Sequence, residues 1–197
     1  MKRIFDILIS LIVLVLFFPF GLIISVLILL TSHGGVFYRQ TRVGKNGIPF
    51  KIFKFRSMRI NADLTGKLTV GMRDPRITSI GYFIRKFKLD EFPQFINVLV
   101  GEMSIVGPRP EVQEYVDLYS EEQRKVLQVK PGITDYASLE YFNENELLAK
   151  SSNPQKTYIE EIMPAKLRLN EKYLMNPSIG HDLYIMFRTF LKIVKIK

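Results

Sequence analysis

Hydrophobic and polar positions divide this chain into a long apolar beginning, a mixed basic middle and a helical end. From Ile7 to Leu30, twenty-four residues pass without a charge, and none follows until Arg39. As a helix that run would be about 36 Å long, enough to cross a bilayer, and it is apolar all round. It is too long for a signal-peptide core, and no small-x-small cleavage site follows it. Pro19, in Phe18-Pro19-Phe20-Gly21, is expected to break the helix into arms of roughly 18 and 16 Å, each too short to cross alone. Lys2 and Arg3 precede the run, and Arg39, Arg42 and Lys45 follow it. Basic flanks belong on the cytoplasmic side. A spanning helix satisfies one of them; a re-entrant hairpin bent at Pro19 satisfies both. Residues 1–33 are therefore expected to form a membrane-embedded re-entrant hairpin, with Ser10 or Ser25 hydroxyls serving backbone groups freed at the bend.

The rest, residues 34–197, reads as one cytoplasmic α+β domain, mainly helical with a small β-hairpin. Val36 to Gln40 leads through a Gly44-Lys45-Asn46-Gly47 turn into Pro49 to Phe55, where apolar and basic residues alternate. Residues 61–76 read as a loop, and Ser79 to Lys88 as a short basic helix. Asp90 is expected to open and cap a helix that buries Phe92, Phe95, Ile96, Leu99 and Val100 and stops at Gly101. Glu111 to Val129 reads as helical with a fresh start at Ser120, and Tyr158 to Leu174 as a helix kinked at Pro164. From Asp182 to Lys197, Leu183, Met186, Phe187, Phe190, Leu191 and Val194 recur at helical spacing among Arg188, Lys192 and Lys195. That is a basic amphipathic helix suited to a membrane surface or to packing on the domain.

Charge changes the picture next. The chain of 197 residues carries a formal net charge of +9, which points to an anionic partner such as phosphate, nucleic acid or lipid headgroup. Arg39 to Lys88 holds thirteen Lys or Arg against two acids, Asp63 and Asp74. With no cysteine, thiol nucleophiles are excluded, and two distant histidines, His33 and His181, disfavour Ser-His-Asp machinery and His-rich metal sites. No P-loop or dinucleotide fingerprint occurs, nor any Asp-x-Asp.

Against this basic tract stand two adjacent carboxylates, Asp90 and Glu91. Surrounding cations should keep the pair ionised by lowering its pKa values, and could hold a multiply charged anion beside it. Gly107-Pro108-Arg109-Pro110 fixes the backbone on both sides of Arg109, presenting a planar guanidinium suited to phosphate. Lys54, Arg56 and Arg59, with Asp74-Pro75-Arg76, Arg85 and Lys86, are candidates for the rest of an electropositive diphosphate pocket. A rival explains the charge and the apolar ends equally well: a non-enzymatic basic membrane protein binding anionic lipid or nucleic acid. It leaves the acidic pair and the Gly-Pro-Arg-Pro loop without a purpose.

In order, Lys2-Arg3-Ile4-Phe5-Asp6, Lys54-Phe55-Arg56-Ser57-Met58, Asp74-Pro75-Arg76-Ile77-Thr78, Leu89-Asp90-Glu91-Phe92-Pro93-Gln94, Asn97-Val98-Leu99, Gly101-Glu102-Met103-Ser104, Val106-Gly107-Pro108-Arg109-Pro110-Glu111 and Lys130-Pro131-Gly132-Ile133-Thr134 resemble the bacterial sugar transferases, the small monotopic phosphoglycosyl transferases. The resemblance covers nearly the whole chain. It implies transfer of a sugar-1-phosphate from a UDP-sugar to polyprenol phosphate, with release of UMP, assisted by magnesium, at the cytoplasmic face of the bacterial inner membrane. It implies Asp90 as nucleophile, forming a phosphosugar–aspartate intermediate and touching the metal. Glu91 would be its partner, either deprotonating the lipid phosphate or helping to hold the metal. Lys54, Arg85 and Arg109 match phosphate-binding positions. Membrane lipids are implied partners and nucleic acid is not; self-association is left open. Two departures are Phe18-Pro19 where many members have Ser-Pro, and Asp135-Tyr136-Ala137-Ser138 where many have Gly-Trp-Ala-Gln, so the sugar is left open.

Overall fold

The computed structural model describes residues 1–71 and 74–195. Residues 72–73 of the expected loop and 196–197 of the expected C-terminal helix lie outside them. The apolar run forms α1, Lys2–Thr31. Pro19 lies inside this helix and does not divide it into two arms, which corrects the expected break. One lost N–H donor is a local defect, and α1 is held by the domain on both sides of it. Nor do the two serines act as expected. Ser25 Oγ donates to the Gly21 carbonyl at 2.6 Å, and the buried Ser10 hydroxyl has no partner among the described residues.

α1 lies along the domain. Near its start, the Arg3 guanidinium donates to the carbonyls of Val98 and Leu99. Buried Asp6 accepts from Ser104 Oγ at 2.9 Å and the Ile105 N–H at 3.2 Å. Lys2 pairs with buried Asp182, which also accepts from the Tyr173 hydroxyl. Midway, the Phe17 ring stacks on Phe92 at 3.9 Å. Towards its end, Ile24 and Ile28 pack with Phe55 and Ile84. The opposite face, including Leu8, Leu11, Leu16, Phe20 and Leu30, is exposed. Only 17% of the most apolar 18-residue stretch is buried, unlike a soluble core helix.

The expected hairpin is present: β1, Phe37–Val43, pairs antiparallel with β2, Pro49–Phe55, from Phe37↔Phe55 to Val43↔Pro49. Asn46 in the turn takes a left-handed φ of 56°, a conformation asparagine tolerates. Phe50, Ile52 and Phe55 are buried. The basic helix follows as α2, Ser79–Lys86, with Thr78 Oγ1 accepting the Gly81 N–H at 3.0 Å. A 3₁₀ turn, Leu89–Glu91, leads into α3, Gln94–Val100, which Gly101 ends at φ 97°. Fully buried Asn97 joins α3 to the hairpin: its Oδ1 accepts the Phe53 N–H and its Nδ2 donates to the Lys51 carbonyl, each at 2.9 Å.

Next come β3, Ser104–Val106, α4, Gln113–Val116, and β4, Gly132–Thr134, which pairs parallel with β3. The expected helix from Glu111 to Val129 is therefore corrected to the single turn α4 and a 3₁₀ segment, Gln123–Gln128. Its buried positions, Tyr115, Val116, Tyr119 and Val126, do not continue a 3.6-residue period. The fresh start at Ser120 is borne out: Ser120 and Gln123 each bond the other's backbone N–H with their side chains, a capping box.

The remaining elements are α5, Tyr136–Glu140, α6, Glu144–Ala149, α7, Pro154–Thr157, α8, Met163–Met175, and α9, Ile179–Val194. Between α7 and α8 lies a widened π turn, Tyr158–Ile162, and Pro164 falls in the first turn of α8, where proline is tolerated. In α9, Asp182 and Ile185 are buried, while Leu183, Tyr184, Phe187, Phe190 and Val194 are exposed.

Candidate active site

The carboxylate pair sits where the chain reverses between α2 and α3. Lys88 adopts a left-handed φ of 56°, and the 3₁₀ turn after it carries Asp90 inward. Asp90 is only 5% exposed. It does not cap α3, as expected from the sequence; the cap position falls to Pro93, with no side-chain bond. Among the described residues Asp90 accepts no hydrogen bond. Burial, and then the adjacent Glu91 charge, push its pKa above the ordinary carboxylate value, although Lys54, Arg85 and Lys88 pull the other way. The expectation that surrounding cations would lower it is therefore corrected. The cations near Asp90 do not compensate for lost water and a like charge one residue away.

Glu91 takes the opposite state. Lys54 Nζ donates to its Oε1 at 3.0 Å, and the Arg109 guanidinium grips both its oxygens, Nη1 lying 3.1 Å from Oε2. Burial pushes its pKa up, but Arg109 and then Lys54 outweigh burial and hold it well below the usual range. Burial also lowers the pKa of Lys54 against the pull of Glu91, while Glu91 raises that of Arg109.

Each member of this group is fixed by its element. Lys54 comes from β2, whose outer edge is bonded to Asn97. Arg109 comes from the proline-flanked loop after β3. Its N–H donates to buried Asp135 at 3.2 Å and its guanidinium to the Ile133 carbonyl at 3.3 Å. Asp135 also caps α5 through the Ser138 N–H at 2.6 Å. The loop runs so close to β4 that a Cβ on Gly132 would stand 2.1 Å from the Gly107 nitrogen.

Asp90, Glu91, Lys54, Arg85 and Arg109 all line one cavity of about 750 Å³. Among the described residues the Arg85 guanidinium makes one hydrogen bond, to Thr69 Oγ1 at 3.0 Å. Two other expected phosphate ligands, Arg76 and Arg56, border the cavity with donors bonded to backbone carbonyls. Arg76 bonds the Asp74 carboxylate and the carbonyls of Ala62, Gly66 and Leu68, so it clamps its own loop. Arg56 bonds the carbonyls of Gly35 and Phe37. Pro19 does not line the cavity.

Sequence reasoning missed Lys88, whose ammonium acts on Asp90 and lies 5.3 Å from the Phe142 ring. It stood in the basic tract, but nothing there signalled a left-handed backbone. Also missed was a polar wall further along the cavity. There Glu111 accepts from the Tyr158 hydroxyl and from Arg42 at 3.4 Å, and Lys166 pairs with Glu144 at 2.8 Å.

A buried carboxylate, unbonded among the described residues, beside one neutralised by two cations fits nucleophilic chemistry on a phosphorus. The sequence profile described as bacterial sugar transferase matches residues 1–196. The chain belongs to this family. Over 200 residues it is 36% identical to the UDP-glucose:undecaprenyl-phosphate glucose-1-phosphate transferase of Escherichia coli strain K12, covering 98% of this chain and 40% of that protein. It is 46% identical over 121 residues to a putative undecaprenyl-phosphate N-acetylgalactosaminyl 1-phosphate transferase of Bacillus subtilis strain 168, covering 61% of this chain and 68% of that one. It is 38% identical over 198 residues to the exopolysaccharide production protein PSS of Rhizobium leguminosarum bv. phaseoli, covering 96% and 92%. The chain thus spans about 40% of the length of the Escherichia coli relative and most of the length of the Rhizobium one.

Proposed function

We propose that this bacterial sugar transferase moves a sugar-1-phosphate from a UDP-sugar to polyprenol phosphate and releases UMP, starting a lipid-linked glycan. The observation that carries this reading is the unequal state of the two carboxylates. Asp90 is buried and its carboxylate accepts no hydrogen bond among the described residues, so its oxygen is a desolvated nucleophile when ionised. It attacks the phosphorus that bears the sugar. The bond from that phosphorus to the bridging oxygen breaks, and UMP leaves with the electron pair. An oxygen of the lipid phosphate then attacks the same phosphorus and breaks the bond to Asp90, giving the lipid diphosphate sugar and restoring the carboxylate.

Glu91 holds Lys54 and Arg109 at the edge of the cavity, where their charge stabilises the phosphoryl oxygens. Arg85 and Lys88 add charge beside Asp90. Among the described residues no group of three or more Asp, Glu, His or Cys gathers for a metal. Magnesium commonly binds through one or two carboxylates together with substrate phosphates, and Asp90 beside the diphosphate fits that pattern. Magnesium held there would offset charge on the diphosphate.

The exposed faces of α1 and α9 support a monotopic arrangement, with α1 entering and leaving the lipid on the cytoplasmic side of the inner membrane. The test is UMP release from a panel of UDP-sugars in the presence of polyprenol phosphate and Mg²⁺. One sugar should give lipid-linked product and stoichiometric UMP. Release of UDP in place of UMP would overturn the reading.

A further inference from the structure

The lining of the cavity that holds Asp90 also includes an apolar branch of side chains, drawn from α1, α9 and the surroundings of α3, for which a nucleotide sugar has no use. Val13 of α1, Phe92 and Phe95 of the α3 region, and Met186, Phe190 and Ile193 of α9 line the same space as Asp90, Arg85 and Lys88. Met186, Phe190 and Ile193 follow at intervals of four and three and so share one face of α9. Phe190 both lines the cavity and is 60% exposed, which puts it at the mouth. On either side of that mouth the two helices turn large apolar side chains outward: Ile12 and Leu16 beside Val13, Phe187 and Val194 beside Phe190.

We propose that this branch seats the first isoprene units of the acceptor, which slides in from the lipid between α1 and α9 and delivers its phosphate to Asp90. The inference rests on the reaction proposed above. At a phosphorus held by Asp90, attacking and leaving oxygens lie roughly in line. The acceptor phosphate therefore enters from the side that UMP has left, and the same cations serve both. The two substrates share one phosphate position and must diverge beyond it. The polar wall around Glu111 and Tyr158 suits the nucleotide sugar; the α1–α9 branch suits a hydrocarbon. Arg85 and Lys88, which form no ion pair with a carboxylate among the described residues, stand at the junction to receive the phosphate.

The full chain in detergent micelles would be irradiated with farnesyl phosphate carrying a diazirine on its terminal isoprene, and the labelled residues mapped by mass spectrometry. Label is expected at Val13, Phe190 or Ile193, and Ile193→Trp, which fills the branch, should cut it at least fivefold. Label confined to outward residues such as Leu16 and Phe187, or label indifferent to Ile193→Trp, would overturn the proposal. In turnover, Phe190→Ser should lower kcat/KM for a C20 prenyl phosphate at least tenfold relative to a C10 one, whereas Phe187→Ser should change both alike. An unchanged chain-length ratio in Phe190→Ser counts against the branch. Labelling in the branch by a protein that releases UMP from no UDP-sugar would keep this inference and remove the reaction assigned above.

Discussion

Asp90 and Glu91 are neighbours in sequence and opposites in state, because the cations around them are shared unequally. Arg109 and Lys54 both bond Glu91, and Asp90 is left to burial and to its neighbour's charge. This predicts that the site destabilises the fold. A carboxylate whose folded pKa is raised keeps a proton that the unfolded chain gives up. Stability therefore falls as pH rises from the ordinary carboxylate range through the folded value, and stays lower above it. Asp90→Asn does not titrate. It should stabilise the protein by about 0.5–2 kcal/mol at pH 7, as relief of a strained functional site does, with the gain gone below about pH 3, where the acid is protonated in both states. Urea denaturation at the two pH values measures this, and UMP release should drop by at least ~10³-fold in the same variant. Glu91→Gln is expected to do the reverse. It strands Lys54 and Arg109, costing roughly 3–5 kcal/mol, and removes the repulsion that raises Asp90. Where single-turnover UMP release falls off in acid, that limb should move to lower pH. A limb that stays in place would show that Asp90 is not the group being titrated.

At the scale of elements, the site depends on how closely β3, β4 and the Arg109 loop are stacked. A methyl on Gly132 would meet the Gly107 nitrogen at 2.1 Å and its oxygen at 2.3 Å, and backbone atoms cannot move aside as side chains do. Gly132→Ala should thus lower stability by at least about 3 kcal/mol, the upper range for overpacking, and displace Arg109. Thermal unfolding and UMP release report the two effects. What the sequence disclosed follows from locality. The hairpin, α2 and α9 were legible because alternation, periodicity and turn residues lie within a few positions of each other. The parallel pairing of Ser104 with Gly132 and the bond from Asp6 to Ser104 join distant segments through three-residue strands, too short to leave a pattern. The same blindness hid the partners of Arg76. Its charge and motif suggested phosphate, but whether a guanidinium is free depends on carbonyls folded around it. Asp90, Glu91, Lys54, Arg85 and Arg109 stood out as candidates because their types are rare or specific to such chemistry, and the fold places all five on one cavity. The division of charge between the two carboxylates did not stand out, since it depends on burial.

Over the whole molecule, the membrane arrangement proposed above turns on α1. A 30-residue helix is about 45 Å long, more than the ~30 Å of a bilayer core, so length alone would permit a crossing. The monotopic arrangement proposed above rests instead on the attachments of its two ends. Arg3 and Asp6 are bonded to Val98, Leu99, Ser104 and Ile105, and Ile28, fully buried, packs with Phe55 and Ile84. Both sets of partners belong to one packed domain, which cannot stand on two sides of a bilayer. Pulling either end through would leave Asp6 without its donors in a medium that supplies none. The chain has no cysteine, so single cysteines report topology without background. In sealed, oriented vesicles, one cysteine inserted after Met1 and another at His33→Cys should react with an impermeant maleimide from the same face. Reaction from opposite faces would mean that the contacts of Asp6 and Ile28 do not coexist in the membrane, and the lipid path between α1 and α9 would lose one of its walls.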